Sequence, residues 1–330
     1  MSTTSLLILI GWIVQLFIGF YFIRFISNII IRCILTCIPC ILLTYMVSNK
    51  LPPFQMFSML LVTYCWLISI RYIHLIVLSP NQCLTFHSFI LKFLWMFFPI
   101  ISCTSYQQKQ WLILYDFISA AIKLLINHWM YRWLLTCKGS DSYVRLIMFY
   151  TFILTYSFLS DIQSGLVRIF TRNKYMIKSL TDFPLLSCSL REFWGKRYNQ
   201  LVGTIFRESI FQPILQYLSS PTIAALIVFF ISGLLHIHLA FINFGDSRAT
   251  ISTISFFLLH GIACTIEAHT PFRIPLFFSW LFTQLFLLVT VPLQNGEFTK
   301  LGPDYYAMNT PPLFEQKWIP KLSIPNFCPN

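Results

Sequence analysis

The sequence predicts an all-α fold: a polytopic transmembrane helical bundle of about eight or nine spans, at roughly twenty residues per crossing. Three observations predict it. Apolar runs of span length recur along nearly the whole chain. Only 10% of the 330 residues are charged, where a soluble domain carries roughly 25%. Hydrophobic residues reach 57%, and the mean hydropathy is +0.70. The net charge of +12 would point to nucleic acid in a soluble protein. Here the cations sit mostly in short connections, where they set orientation and meet anionic headgroups or substrates. No basic segment is long enough to form a nucleic-acid-binding domain.

The expected spans are Leu6–Ile23, Ile29–Val47, Phe54–Leu78, Phe86–Ile101, Trp111–Leu135, Val144–Leu159, Thr222–Asn243, Thr250–Ile266 and Ile274–Val291. Met1 to Ser5 lacks a positive n-region, so the first run reads as a retained span rather than a signal peptide. Lys92, Lys123, Asn127 and His128 interrupt the fourth and fifth runs. Residues 1–330 read as one membrane-embedded domain, with spans in 1–160, a long connection at 161–220, further spans in 221–292 and a polar tail at 293–330. In the connection, eight cations from Arg168 to Arg207 face only Asp161, Asp182, Glu192 and Glu208. Its second half, Phe193-Trp194…Tyr198…Leu201-Val202…Ile205-Phe206…Ile210, repeats with a helical period. That pattern fits an amphipathic segment at the membrane surface or re-entering it. By the positive-inside rule the connection is cytosolic, which puts the N-terminus in the cytosol and the C-terminus opposite. The proline-rich tail from Leu293 is expected to cover a loop face without spanning.

One ionisable residue stands out. His236 lies inside the run Ile223–Asn243, where a titratable side chain is costly enough to be a functional hypothesis. Imidazole is neutral near pH 7 and still accepts a proton. Ser232 and Gly233, one turn earlier, allow a close approach of backbone or ligand. The plainer reading is a histidine that only packs through an interhelical hydrogen bond. His260, in the next span, can orient His236 or line the same cavity, and packing is its commoner role. His236-Ile237-His238 is no chelating pair, because helix neighbours two apart point to nearly opposite sides. Cys33-x3-Cys37-x2-Cys40 has the spacing of an iron–sulfur site, but it lies in an apolar run where cysteine serves as a small hydrophobe. No metal is expected, and ten scattered cysteines imply no disulfide framework. Upstream, Phe193-Trp194-Gly195-Lys196-Arg197-Tyr198-Asn199 reads as an interfacial belt of aromatics and snorkelling cations. Gly195 and Asn199 are left over by that reading, since Asn is a poor helix former.

The last two blocks resemble the membrane-bound O-acyltransferases, most closely their wax synthase-type branch. Members of that branch carry a Phe-Trp-Gly-Arg-Arg-Trp-Asn-like block followed by Ser-Gly-Leu-x-His. This chain has Phe193-Trp194-Gly195-Lys196-Arg197-Tyr198-Asn199 and Ser232-Gly233-Leu234-Leu235-His236. Phe257-Leu258-Leu259-His260-Gly261 also looks like the family's next helix, so the resemblance covers roughly Leu190 to Glu267. Two departures stand out. Ile237 occupies a position that is often acidic in the family, and Lys196 and Tyr198 replace the commoner Arg and Trp. Without the carboxylate, either another group orients His236 or the activity is altered or lost.

The resemblance implies transfer of a fatty acyl group from acyl-CoA to a membrane-dissolved long-chain alcohol, giving a wax or related neutral ester. His236 would act as general base and Asn199 would hold the substrate or developing oxyanion, these two being the catalytic pair. Trp194, Lys196, Arg197, Ser232 and His260 would contact substrate. Acyl-CoA would be a co-substrate, with no cofactor and no metal, and the lipid partners would place the protein in the endoplasmic reticulum membrane. Two other classes fit the same residues: a transporter with His236 and His260 as proton relays, and a lipid-binding relative without turnover. Transporters usually show internal repeats, and none is visible in this sequence.

Overall fold

Backbone in hydrocarbon must satisfy its own hydrogen bonds, so apolar runs of span length fold as helices. The computed structural model describes residues 3–79, 84–104, 109, 111–136, 143–155, 157–245, 248–270, 275–300 and 302–325. Met1 and Ile274, at two expected boundaries, lie outside these. The helices are α1 (Thr3–Tyr21), α2 (Ile29–Ser48), α3 (Met56–Ile73), α4 (Phe86–Leu94), α5 (Trp111–Thr136), α6 (Tyr143–Thr155), α7 (Phe158–Phe170), α8 (Leu190–Glu192), α9 (Gln200–Phe206), α10 (Gln212–Leu218), α11 (Pro221–Phe244), α12 (Arg248–His269), α13 (Leu276–Lys300) and α14 (Gly302–Met308). Two short strands, β1 (Ile100–Ser102) and β2 (Tyr175–Ile177), pair antiparallel with Ile101 opposite Met176.

Among the described residues, 8 helical runs are long and apolar enough to cross a membrane: Leu6–Phe25, Ile29–Ser48, Met56–Leu78, Leu112–Thr136, Tyr143–Phe170, Pro221–Phe244, Thr250–His269 and Leu276–Glu297. This is a mostly helical, multi-pass membrane architecture.

The expected span Phe86–Ile101 is corrected. Its helix stops after 9 residues at Leu94, and past Pro99 the chain turns extended to pair with β2. The connection expected to begin at Asp161 starts later, because Asp161 and Arg168 lie on α7 and are buried there. The amphipathic segment is not one helix: it breaks at Tyr198-Asn199 and resumes as α9. The tail differs too, since α13 continues through Pro292 to Lys300 before the chain leaves the helix.

Burial confirms the solvent. On α2 the residues turned inward are Arg32, Thr36, Cys40 and Thr44, a stripe at fourfold spacing. Ile30, Ile34, Ile38 and Ile41 face outward. A soluble helix has the opposite pattern. Two of these inward polar side chains bond within the protein. Arg32 donates to the carbonyls of Ile26 and Val77 at 3.2 and 3.3 Å, and Thr36 donates to the Arg32 carbonyl at 2.7 Å.

The chain divides into two units. The first is Met1–Phe98 with Thr204–Gly261. Here Val62 of α3 and Leu235 and Leu239 of α11 form an apolar core, with Met59, Trp66 and Ile242 packed against it. Tyr72 of α3 donates to the Gln15 carbonyl of α1 at 2.7 Å. Gly19 leaves the room for that ring, since a Cβ there would lie 1.9 Å from the Tyr72 hydroxyl.

The second unit is Pro99–Gly203 with Ile262–Asn330. Its α5 and α7 run side by side and carry two ionic rungs: Lys123 to Asp161 at 2.7 Å and Arg168 to Asp116 at 3.1 Å. Ser119 also donates to Asp161 at 2.8 Å. Each helix presents its two charges seven residues apart, so both rungs fall on one face. The tail packs on the same helix: Tyr131 bonds the Tyr306 carbonyl, and Trp129 and Arg132 donate to the carbonyls of Ser323 and Leu322 at 2.8 and 2.9 Å.

Removing one partner of a buried pair strands the other charge, at about 3–5 kcal/mol, whereas removing both with apolar replacements costs far less. Asp161→Leu is therefore expected to unfold well below the wild type in a detergent melt, and Asp161→Leu combined with Lys123→Met is expected to recover most of the loss. Losses that simply add would show that the rung is not a coupled pair.

Candidate active site

The helix that carries His236 is bounded by strong local signals. The Ser220 hydroxyl accepts from the Ile223 amide at 3.3 Å, Pro221 opens the first turn, and Gly245 closes the last in the left-handed conformation at φ 63°. At 1.5 Å per residue, His236 lies roughly 12 Å along α11 from its Phe244 end, within hydrocarbon depth.

The two histidines of this turn have different fates. Trp66 Nε1–H donates to His238 Nδ1 at 2.9 Å. His238 Nε2 meets the Ser48 hydroxyl at 3.1 Å, and that hydroxyl itself donates to the Thr44 carbonyl at 2.7 Å. With its own proton committed, the serine oxygen accepts, so His238 is neutral and engaged at both nitrogens. It is a structural residue. His236 points elsewhere, as the spacing of two predicts. Its Nδ1 lies 2.8 Å from the Ser232 carbonyl. A carbonyl only accepts, so Nδ1 carries the proton and Nε2 keeps a lone pair. Its ring lies against Phe257 of α12, centroids 4.4 Å apart. Ser232 thus acts through its backbone. His236 is half-buried, whereas His260 is fully enclosed and packs on Phe256 at 4.2 Å.

Helices α11 and α12 approach closely at two glycines. A Cβ on Gly233 would lie 2.5 Å from Ile254 Cδ1, and one on Gly261 would lie 3.0 Å from Phe229 Cβ. The Ser-Gly pair expected to admit a close neighbour does so, and the neighbour is α12.

The Phe193–Asn199 block lies in the second unit and begins as a wide turn. Tyr198 N donates to the Phe193 carbonyl five residues back at 2.8 Å, the spacing of a π-helical turn. Phe193 and Tyr198 stack at 5.0 Å, with Trp194 edge-on to both. The wide turn also lets Arg197 reach Glu192, with Nε to Oε1 at 2.7 Å, while Nη1 donates to the Asp182 carbonyl at 3.1 Å. Lys196 is exposed and forms no ion pair among the described residues. Asn199 adopts φ 40°, which Asn tolerates better than most residues, and caps α9: its Oδ1 accepts from the Val202 amide at 3.2 Å. The cap uses the oxygen and leaves the Nδ2 hydrogens as donors. Three bonds strap the segment to the ends of α12 and α13: Arg191 N to Glu267 at 2.9 Å, Trp280 to the Leu185 carbonyl at 2.8 Å and Gln284 to the Ser187 carbonyl at 3.3 Å.

The proposed site residues therefore fall into two groups, Ser232, His236 and His260 in the first unit and Trp194, Lys196, Arg197 and Asn199 in the second. Sequence reading missed Glu192 as the partner of Arg197, because i to i+5 pairs do not meet on a regular α-helix. It also missed Trp66 and Ser48, which no local pattern connects to His238.

Residues 177–259 match the Membrane bound O-acyl transferase family. Over that segment the chain is similar to members of this family. Among curated relatives, the chain is similar to acyl-CoA–sterol O-acyltransferase 1 of Arabidopsis thaliana, 34% identical over 119 residues, covering 32% of this chain and 34% of the relative. It is also similar to the long-chain-alcohol O-fatty-acyltransferase of Simmondsia chinensis, 33% identical over 91 residues and 26% of each chain. The matched part spans about a third or less of these relatives' length. Within residues 177–259 lie both the Phe193–Asn199 block and the Ser232–His236 block.

Burial alone would raise the Glu192 carboxyl, but the Cys188 amide and the Arg197 guanidinium outweigh it and hold it below the ordinary glutamate range. A depressed folded value stabilises fully above the ordinary range and loses that contribution as pH falls through it. Hydrogen exchange at the Cys188 amide, referenced to Glu192→Gln at each pH, is expected to lose its protection in acid. Equal protection in both proteins at neutral pH would remove the clamp.

Proposed function

We propose that the protein is an acyl-CoA-dependent O-acyltransferase that esterifies a long-chain alcohol dissolved in the bilayer, and that 1–330 acts as one membrane-embedded domain. The observation that carries this reading is the bond from His236 Nδ1–H to the Ser232 carbonyl, which leaves Nε2 a proton acceptor at hydrocarbon depth. In the proposed reaction, the alcohol proton moves to His236 Nε2 as its oxygen attacks the thioester carbonyl. The tetrahedral intermediate then collapses, the carbon–sulfur bond breaks, and the CoA thiolate recovers the proton from the imidazolium. The products are ester and free CoA. A thioester is already activated, so no metal or cofactor takes part.

Asn199 contributes a donor. Its oxygen is held in the cap, so the Nδ2 hydrogens are the donors it would offer an acyl carbonyl or developing oxyanion. Lys196 is an exposed cation for the CoA phosphates, Arg197 acts mainly by holding the turn, and Trp194 supplies an aromatic wall. His260, enclosed against Phe256, would act on the site by packing rather than by touching substrate. Acyl-CoA comes from the cytosol, which suits a cytosolic basic segment, and the lipid substrates suit the endoplasmic reticulum. Similarity to a sterol-named relative supports a second acceptor, a sterol.

An acceptor panel of fatty alcohol, sterol and diacylglycerol with labelled acyl-CoA in membranes tests the proposal. Ester is expected from the fatty alcohol. Ester from sterol alone would change the acceptor, and no ester from any would return the protein to a transporter or lipid binder. His236→Ala is expected to lower ester formation by about 10²–10⁴ with insertion unchanged; a normal rate would refute the base.

Asn199→Asp keeps the capping oxygen and the backbone conformation but loses the donor, so turnover is expected to fall by about 10². An unchanged rate would leave Asn199 a helix cap only.

A further inference from the structure

Late in the third span, Arg71 sits in a setting that acyl transfer does not use. Its Nε donates to the Lys92 carbonyl at 3.2 Å and Nη1 to Glu208 Oε2 at 2.7 Å, while Nη2 has no hydrogen-bond partner among the described residues. The Arg71 side chain is 8% exposed and Glu208 is 43% exposed. With Leu91, Lys92 and Trp95 they line an open depression of about 290 Å³. One turn beyond Arg71, His74 has a buried Nδ1 with no partner among the described residues. Beside the depression, Leu91, Leu94 and Phe98 face outward.

The chemistry of the walls narrows the ligand. A simple anion would meet the Glu208 carboxylate, and a simple cation would meet Arg71 and Lys92. A group with a phosphate and an ammonium a few atoms apart satisfies both. Arginine with open N–H groups suits a phosphodiester. An indole face beside a carboxylate suits an ammonium or quaternary ammonium. The outward leucines and Phe98 offer acyl chains an apolar track, as expected at a membrane interface marked by Trp, Lys and Arg.

We propose that Arg71, Lys92, Trp95 and Glu208 form a binding site for the headgroup of a zwitterionic glycerophospholipid, with the phosphate at Arg71 and Lys92 and the ammonium between Glu208 and Trp95. The site is independent of the esterification reading.

The test is native mass spectrometry of the delipidated full-length protein after titration with phosphatidylcholine, phosphatidylglycerol or inorganic phosphate. Phosphatidylcholine is expected to bind at least about tenfold more tightly than phosphatidylglycerol, and Trp95→Ala to weaken it about fivefold, the loss of one cation–π contact. Glu208→Gln keeps an acceptor for Arg71 but removes the charge, and is expected to abolish the preference between the two lipids. The exposed Lys92→Gln is expected to weaken both lipids, and it keeps the test open if Glu208→Gln does not fold. Equal binding of the two lipids by the wild type, unchanged binding in Trp95→Ala, or a match by inorganic phosphate would overturn the proposal.

Discussion

Hydrocarbon offers no hydrogen bonds, so a polar group carried into a span needs a partner in the protein itself. That constraint orders both units. It turns the Arg32–Thr44 stripe of α2 inward, sets two ionic rungs between α5 and α7, and holds His238 from both sides through Trp66 and Ser48. The pairing is not complete, as Arg32 Nε and His74 Nδ1 show, and His236 is the instructive case. One nitrogen is satisfied within its own helix, and the other is left with an open lone pair. A polar atom kept incompletely satisfied at such depth is costly, and that cost is what makes function the reading to pursue.

The group that orients His236 also addresses the loss of the family's acidic neighbour. Ile237 provides no carboxylate, and the Ser232 carbonyl fixes the tautomer instead. A neutral carbonyl orients the ring as well as a carboxylate does, but it stabilises the imidazolium less. The difference concerns base strength, not geometry.

Much of this was legible in the sequence, and the limits have physical causes. Span positions were legible because composition alone decides what a bilayer accepts. Phe86–Ile101 misled because an apolar run of that length does not record where its backbone leaves the helix, and Pro99 with strand pairing decided that. Asp161 and Arg168 looked like loop charges because their partners, Lys123 and Asp116, are far away in sequence. His236 and Asn199 could be singled out as residues out of place for their surroundings. The cap made by Asn199 and the clamp of Arg197 on Glu192 could not, since both depend on a π-helical turn that no simple periodicity signals.

The two glycines between α11 and α12 have a geometric consequence. With Ile254 and Phe229 already at contact distance from where a methyl would sit, the seam has no width for a chain of methylenes. In the proposed reaction, a lipid tail reaching the imidazole would have to pass along the flank of this helix pair, and the residues covering that flank would measure its length.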